Sequence, residues 1–208
     1  LSSITVAPNN PIYSSPEGCN AIIHNEKKLL ILGCKNSTIP HFAEAINDYA
    51  FERCMGLTSI VIPKNIKRID KGAFEHCKNL KSVTLSNSIE SIGSTAFSFC
   101  ESLESIGIPN SIAKIEDFSF SNCTALTNVP IENGIRTIEA GAFNSCSNLK
   151  SITIPASVRE INVGAFAHCK ALTEVTIEEG VGIIGAILST LGLILPSFAI
   201  IIASGVCS

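Results

Sequence analysis

The chain has 208 residues, of which 46% are hydrophobic and 16% are charged, and its formal net charge is −3. Such a weak negative charge provides no electrostatic basis for nucleic acid binding. The sequence contains no Trp and only two Tyr, the residue types that often anchor tight protein interfaces. Globular domains usually contain about 25% charged residues, so Ser, Thr and Asn must supply much of the surface polarity of this chain.

The chain begins at Leu1, with neither an initiating Met nor a secretory signal peptide. Leu1, Ile4 and Val6 have the spacing of the strand that recurs in the repeats further along. We therefore expect the natural protein to extend upstream of this segment.

An insertion at about residues 11–34 precedes the regular part of the chain. Two apolar runs within it flank a polar turn, which predicts a β-hairpin. If Ile23 pairs with Leu30, Cys19 faces Cys34 at a separation that a disulfide can span. The pattern leaves open whether these two cysteines form a disulfide or stay buried thiols. It also leaves open whether the hairpin covers the end of the fold or protrudes as a contact element.

A repeat of 23 residues dominates the rest of the chain. A Phe recurs six times at this spacing, and each Phe is followed three positions later by a Cys and six positions later by a Leu. Strict recurrence at this period is typical of a solenoid, in which each turn buries its apolar side chains against the neighbouring turns. Disulfides between neighbouring turns would strain a uniform stack, so the repeated cysteines are predicted to be buried free thiols. The predicted repeat core consists of Phe51, Phe74, Phe97, Phe120, Phe143, Phe166, Cys54, Cys77, Cys100, Cys123, Cys146 and Cys169.

A single period shows the expected course of one turn. Leu57, Ile60 and Ile62 are expected to point inward and Ser59 and Val61 outward, which predicts a short strand that ends at Pro63. Ile66 and Ile69 follow on a second extended stretch, and Phe74 is expected in a short helical turn. The sequence thus predicts stacked 23-residue turns with a parallel β-sheet on one face and short strands or helical turns on the other.

The segment Leu149–Cys169, LKSITIPASVREINVGAFAHC, resembles the BspA-like type of leucine-rich repeat. The resemblance implies a leucine-rich-repeat solenoid over residues 1–180. It also implies a surface-exposed or secreted protein of a bacterium or a mucosal protist, often associated with adhesion. The partner implied in this way is an extracellular protein of a host or a surface protein of a neighbouring cell.

The C-terminal segment, residues 181–208, is apolar and contains no charged residue. Its length suffices for a membrane span, which would give the chain a membrane contact there. Alternatively, Leu195, Phe198 and Ile200 fall on the Leu, Ile/Val and Ile positions of a further strand, and the segment is then a degenerate capping turn. A third interpretation is that the segment is not native to the fold.

No motif for catalysis or for a cofactor occurs in the sequence. His76 and His168 occupy the same repeat position four turns apart, roughly 19 Å at one strand spacing per turn, which is too far to share a metal ion. The repeated cysteines lack a fixed His partner, so a Cys–His nucleophile is not expected. The chain is therefore predicted to have no enzymatic activity, no cofactor and no metal ion.

The outward positions of the predicted sheet are mostly Ser and Thr. Such a face suits either a flat partner held by many weak contacts or simple solvation. The candidate binding residues are Ser59, Val61, Ser82, Thr84, Ser105, Asn128, Ser151, Thr153, Glu174 and Thr176. The predicted function is a non-catalytic protein-interaction or adhesion module. The alternatives are a structural spacer and an accessory domain of an enzyme whose catalytic part lies outside this chain.

Overall fold

The computed structural model describes residues 2–16 and 18–178, and the main chain of residues 199–203. These residues contain short strands and no helix. The strands are β1 (Tyr13–Ser14), β2 (Ile22–His24), β3 (Leu29–Leu32), β4 (Ala45–Ile46), β5 (Ser59–Val61), β6 (Arg68–Ile69), β7 (Ser82–Thr84), β8 (Ser91–Ile92), β9 (Lys114–Ile115), β10 (Thr137–Ile138), β11 (Ser151–Ile154), β12 (Glu160–Ile161), β13 (Glu174–Glu178) and β14 (Ala199–Ala203).

Equivalent residues of successive turns lie side by side, which confirms the predicted solenoid. Ser59 pairs with Ser82, and Thr137 pairs with Glu160, each pair being 23 residues apart. Every pairing within the repeated region is parallel, because each turn runs in the same direction as its neighbours. A regular stack therefore buries one apolar column instead of a globular core.

Strands form on two sides of the turn, and the pairing on each side is divided into two segments. The strands of one side are together called the first sheet, and those of the other side are called the second sheet. The first strand is the predicted one, represented by β5 and β7, which are paired with each other. The second is the extended stretch after the first corner, represented by β6, which pairs with β4 and β8. Alternation places Ile60 and Ile69 inside and Val61 and Arg68 outside.

The third side of each turn, here called the turn side, is built from hydrogen-bonded turns. Main-chain N–H groups of Thr95, Phe97 and Phe99 donate to carbonyl oxygens of the next turn at 3.0, 2.8 and 2.8 Å. The same three-bond pattern recurs from turn to turn. Two residues per turn adopt positive φ to bring these N–H groups to one edge. The first position holds Tyr49, Gly72, Thr95, Phe118, Gly141 and Gly164; the second holds Arg53, His76, Phe99, Asn122, Ser145 and His168.

The six repeated phenylalanines form a continuous stack along the solenoid axis. Successive ring centroids lie 4.9, 5.1, 5.6, 5.4 and 5.4 Å apart, and the rings are within 11° of parallel. All six side chains are fully buried. Five of the six repeated cysteines are also fully buried beside them, and Cys54 at the first turn is half-buried.

The N-terminal hairpin is confirmed, and it extends the second sheet. β2 pairs with β3 in antiparallel fashion, and β3 pairs in parallel with β4 of the first turn. Ile23 lies opposite Leu30, and both side chains are fully buried. The hairpin therefore covers the first turn on the side of the second sheet.

Cys19 and Cys34 are free, buried thiols in this structure, although Ile23 pairs with Leu30 as expected. A bulge between Ile22 and Ile23 shifts the register on the cysteine side of the hairpin. The Sγ atom of Cys34 consequently contacts the carbonyl oxygen of Asn20, at 3.5 Å, instead of Cys19. Extrapolating a regular ladder across the bulge was therefore wrong.

The strand β14 pairs in parallel with β13, with Val175 opposite Ile200 and Ile177 opposite Ile202. Extrapolation of the repeat had aligned Ile200 with Ile177, so the observed register differs by two residues. An almost uniformly apolar segment does not specify register, because many alignments bury similar side chains. The other two residues of that alignment, Leu195 and Phe198, lie outside the described residues. Among the described residues, no helix is long and apolar enough to cross a membrane.

Candidate binding surfaces of the solenoid

The hydroxyl face is the outward surface of the first sheet, formed by the ten candidate binding residues named above. Its two columns are in register: Ser59, Ser82, Ser105 and Asn128 are neighbours in succession, and Thr153 pairs with Thr176. Nine of the ten residues are exposed, and Thr176 is half-buried. The structure thus brings the predicted residues together on one surface, with Glu174 as its one charged group.

The strand pairing beneath the hydroxyl face is least extensive at its centre. At the fourth and fifth turns the sheet is reduced to single bridges, at Ser105 and at Ile108. Gly107 and Pro130 stand there at outward positions that Thr84 and Thr153 occupy in other turns. Gly reduces strand stability and Pro lacks the N–H that a sheet requires. The exposed residues therefore lie on two paired segments, β5 with β7 and β11 with β13, on either side of a centre that is joined by single bridges.

A shallow groove borders the first half of the hydroxyl face. Its lining includes Thr38 and Ile39 on one side and Ser59 and Val61 of β5 on the other. Val61 is 66% exposed, which is unusual for an apolar residue of the repeat. A partner lying along the Ser column would reach this apolar edge at the N-terminal end of the stack.

Ion pairs between turns neutralise part of the charge on the outward surface of the second sheet, here called the charged face. Lys67 pairs with Glu90 at 3.6 Å, and Lys114 pairs with Glu139 at 2.8 Å. Exposed pairs of this kind contribute little to stability, typically below about 1 kcal/mol. Arg136 and Arg159, by contrast, lie side by side on adjacent turns of this face.

Burial holds two of the repeated thiols in the protonated form, because it raises the pKa of Cys77 and that of Cys123 to about 12. The thiolate is the nucleophilic form, so these two thiols are poor nucleophiles at neutral pH. At Cys54, burial and the neighbouring Cys34 thiol raise the pKa as well. Cys169 differs from these, because a hydrogen bond with the Cys146 thiol lowers its pKa.

The structure also shows the surroundings of the histidines. His76 is half-buried, and its ring stacks on Phe99 with centroids 4.5 Å apart. His168 lies at the equivalent position four turns later and is exposed. No three His, Cys, Asp or Glu side chains of the described segments are grouped so that they could hold a metal ion.

Aromatic side chains on the turn side escaped the sequence analysis. Tyr49, Phe99 and Phe118 lie outside the buried Phe stack, and Tyr49 and Phe118 are 40% and 45% exposed. Their signal in the sequence is a departure from the repeat, since Gly occupies the Tyr49 and Phe118 position in three other turns.

The model of the BspA type leucine rich repeat region matches residues 44–173 in six copies. The chain belongs to this family. Leucine-rich repeats of this kind generally mediate protein–protein interaction and are generally not catalytic. No curated protein matches the chain.

Several solved bacterial leucine-rich repeat proteins are similar to the chain. One from Eubacterium ventriosum is 28% identical with a TM-score of 0.76, and the match covers 83% of this chain and 48% of that protein. The pneumococcal vaccine antigen PcpA is 26% identical with a TM-score of 0.65, over 86% of this chain and 51% of its own. A leucine rich cell surface protein from Faecalibacterium prausnitzii, 24% identical with a TM-score of 0.59, shares the fold over 85% of this chain and 56% of its own. This chain spans about half the length of these proteins.

Proposed function

We propose that the chain is a non-catalytic interaction module of a cell-surface or secreted protein, and that it binds a protein of a host or neighbouring cell through the hydroxyl face. The observation that carries this proposal is the column Ser59, Ser82, Ser105 and Asn128, which is exposed, uncharged and in register over four turns. Small hydroxyl side chains leave the sheet surface flat and accessible. Surface display is supported by the similar F. prausnitzii structure, which is described as a cell surface protein.

Adhesion through such a face depends on repetition. Each hydroxyl makes a weak contact, and no Trp or Arg on the hydroxyl face provides a strong anchor. Many copies displayed together gain avidity without any new contact. The charged face is the less suitable surface, because its central charges are already paired across turns.

The experiment compares beads coated with the protein for attachment to cultured epithelial cells. The double variant Thr84→Arg and Thr153→Arg places two large cations on the hydroxyl face without touching the buried column. The matched control, Ser91→Arg and Ala113→Arg, adds the same charge to the charged face. We expect the first variant to lose most of the attachment and the control to keep it. Equal attachment by all three proteins would contradict the proposed face.

A structural spacer is the second candidate. The observation in its favour is the parallel pairing of successive turns, which β4, β6 and β8 show in the first half of the stack and β9, β10 and β12 show in the second half. A spacer needs no binding surface, so the unmodified protein and both variants would all fail to attach to cells. The same bead assay therefore distinguishes the two functions.

A further inference from the structure

The turn side carries one aromatic ring on each of four successive turns. These rings belong to Tyr49, His76, Phe99 and Phe118. Tyr49 and Phe118 are 40% and 45% exposed, and the half-buried rings of His76 and Phe99 stack on each other at 4.5 Å. Tyr49 and Phe118 hold the first positive-φ position of their turns, and His76 and Phe99 hold the second. This set of turn-side rings, in which His76 and Phe99 are in contact, is here called the aromatic stripe.

All four aromatic residues adopt a backbone conformation that is unfavourable for them. Their φ angles are 57°, 58°, 58° and 53° in chain order. Glycine has no such penalty, and it occupies the Tyr49 and Phe118 position in three other turns, at Gly72, Gly141 and Gly164. A positive φ recurs at both positions of every turn, so this conformation belongs to the repeat, and what distinguishes these four successive turns is that each carries a ring.

The two exposed rings are held in place by the following turn. The Tyr49 ring rests on Gly72, where an added Cβ atom would come within 2.4 Å of the Tyr49 Cε1 atom. The Phe118 ring rests on Gly141 in the same way, at 2.3 Å. A ring supported by glycine backbone is ordered before any partner arrives, which lowers the entropy cost of binding.

Two carboxylates lie next to the stripe in the chain or in space. The Glu75 Oε2 atom lies 3.1 Å from the same added Cβ position on Gly72 that the Tyr49 ring approaches, so the carboxylate and the ring border the same position. Asp117 is exposed and directly precedes Phe118. Within the described part of the chain, neither Glu75 nor Asp117 forms an ion pair, whereas Arg53 is paired with Glu52 at 3.3 Å.

We propose that the aromatic stripe, formed by Tyr49, His76, Phe99 and Phe118 with Glu75 and Asp117, binds an arginine- or lysine-bearing segment of a partner protein. A guanidinium or ammonium group over an aromatic ring is attracted by the negative face of the ring. The adjacent carboxylates add charge-assisted hydrogen bonds, which are strongest for the planar guanidinium. This site goes beyond the proposed function, because it lies on another side of the molecule and selects a cationic partner.

The experiment measures binding of a fluorescein-labelled peptide of alternating Arg and Gly by fluorescence anisotropy. A peptide with citrulline in place of Arg has the same shape without the charge. We expect the protein to bind the Arg peptide at least about fivefold more tightly than the citrulline peptide. The double variant Phe99→Asn and Phe118→Gly is expected to weaken Arg-peptide binding by about tenfold, while Thr95→Gly, which changes no ring, leaves it unaltered.

A charge-matched pair of variants tests the carboxylates separately from the rings. Glu75→Gln with Asp117→Asn is expected to weaken binding about fivefold. Glu90→Gln with Glu160→Gln removes the same charge from the charged face and is expected to leave binding unchanged. Equal weakening by both pairs, or equal affinity for the Arg and citrulline peptides, would overturn the proposal. Because the carboxylate variants leave the backbone and the buried column untouched, this test holds even if the ring variant fails to fold.

Discussion

The thiol of Cys123 donates a hydrogen bond to the main-chain carbonyl oxygen of Phe97 in the preceding turn, at 3.2 Å. The same bond joins Cys77 to Phe51 at 3.0 Å. It recurs at Cys100, Cys146 and Cys169, with distances of 3.3, 3.2 and 3.1 Å. A Cys at this position therefore combines a small apolar volume with a weak donor directed at the neighbouring turn.

Replacing Cys123 by Ala should lower the free energy of unfolding by about 1–2 kcal/mol, because a hydrogen bond and part of the packing are lost. Cys54→Ala is the matched control, since Cys54 is half-buried at the end of the series, and it should cost less. Urea denaturation followed by circular dichroism measures both. Equal costs for the two variants would show that the hydrogen bond and the burial of Cys123 contribute nothing specific.

Stability should fall in alkaline solution. The folded-state pKa of Cys77 and of Cys123 is raised by burial from 9.0 to about 12. A raised pKa means that the folded state binds more protons than the unfolded chain between these values, so the stabilisation is complete below pH about 9 and is lost as the pH rises towards 12. Thermal melts between pH 7 and 11 should show a falling midpoint above pH 9. A variant with Cys77 and Cys123 both replaced by Ala should show a shallower fall.

Truncation of a Phe in the interior of the Phe stack should lower the free energy of unfolding more than truncation at either end. Phe97 is fully buried between Phe74 and Phe120, with ring centroids at 5.1 and 5.6 Å. Phe97→Ala should cost about 3–5 kcal/mol in the free energy of unfolding. Phe97→Leu retains most of the volume and should cost less than half as much. A loss below about 1 kcal/mol for the Ala variant would mean that neighbouring turns close the cavity.

Backbone strain at the positive-φ positions of the turn side should be measurable as a change in stability when Gly replaces another residue there. Thr95 is β-branched at a φ of 55°, and its Oγ1 atom is buried without a hydrogen-bond partner among the described residues. Thr95→Gly should therefore stabilise the protein by about 1 kcal/mol, after the greater flexibility of Gly in the unfolded chain is deducted. The melting temperature measures the gain, and a lower value would contradict it.

The reverse exchange separates strain from steric overlap. Gly164 has a φ of 66°, and an added Cβ atom would meet nothing closer than Ala167 Cβ at 3.7 Å. Gly164→Ala should destabilise by about 1 kcal/mol from backbone strain alone. At Gly141 the added atom would also overlap the Phe118 ring at 2.3 Å, so Gly141→Ala should cost more. The difference between the two variants should disappear in a Phe118→Gly background.

The weak centre of the hydroxyl face should be repairable. Gly107 is exposed, and an added Cβ atom would meet nothing within 4 Å. Gly107→Thr supplies the residue type found at Thr84 and Thr153, and it should raise the free energy of unfolding by up to about 1 kcal/mol through strand preference. Slower amide exchange at Ile106 and Ile108 would accompany the gain. Faster amide exchange at Ile106 and Ile108 would contradict the prediction, because it would mean that Thr at this position does not strengthen the strand.

The sequence by itself determined the solenoid, its 23-residue turn and its buried column. Phe97 and Phe120 are one period apart, and no alternative fold places every Phe, Cys and Leu of such a series in an equivalent environment. It also determined the membership of the hydroxyl face, because alternation along a strand assigns Ser82 and Thr84 to the outside once Val83 is inside. Regular repetition makes these features local, so they can be inferred without knowledge of distant contacts.

Only the tertiary structure decided the features that depend on register and on main-chain direction. The bulge at Ile22 separates Cys19 from Cys34, and the apolar segment around Ile200 pairs two residues away from the extrapolated alignment. The positive φ angles at Tyr49 and Phe118 accompany main-chain hydrogen bonds to the next turn. The sequence pattern does not predict a positive φ at residues with such large side chains. The aromatic stripe is an outcome of that geometry, since stacking of turns brings together rings that are 19 to 27 residues apart in the chain.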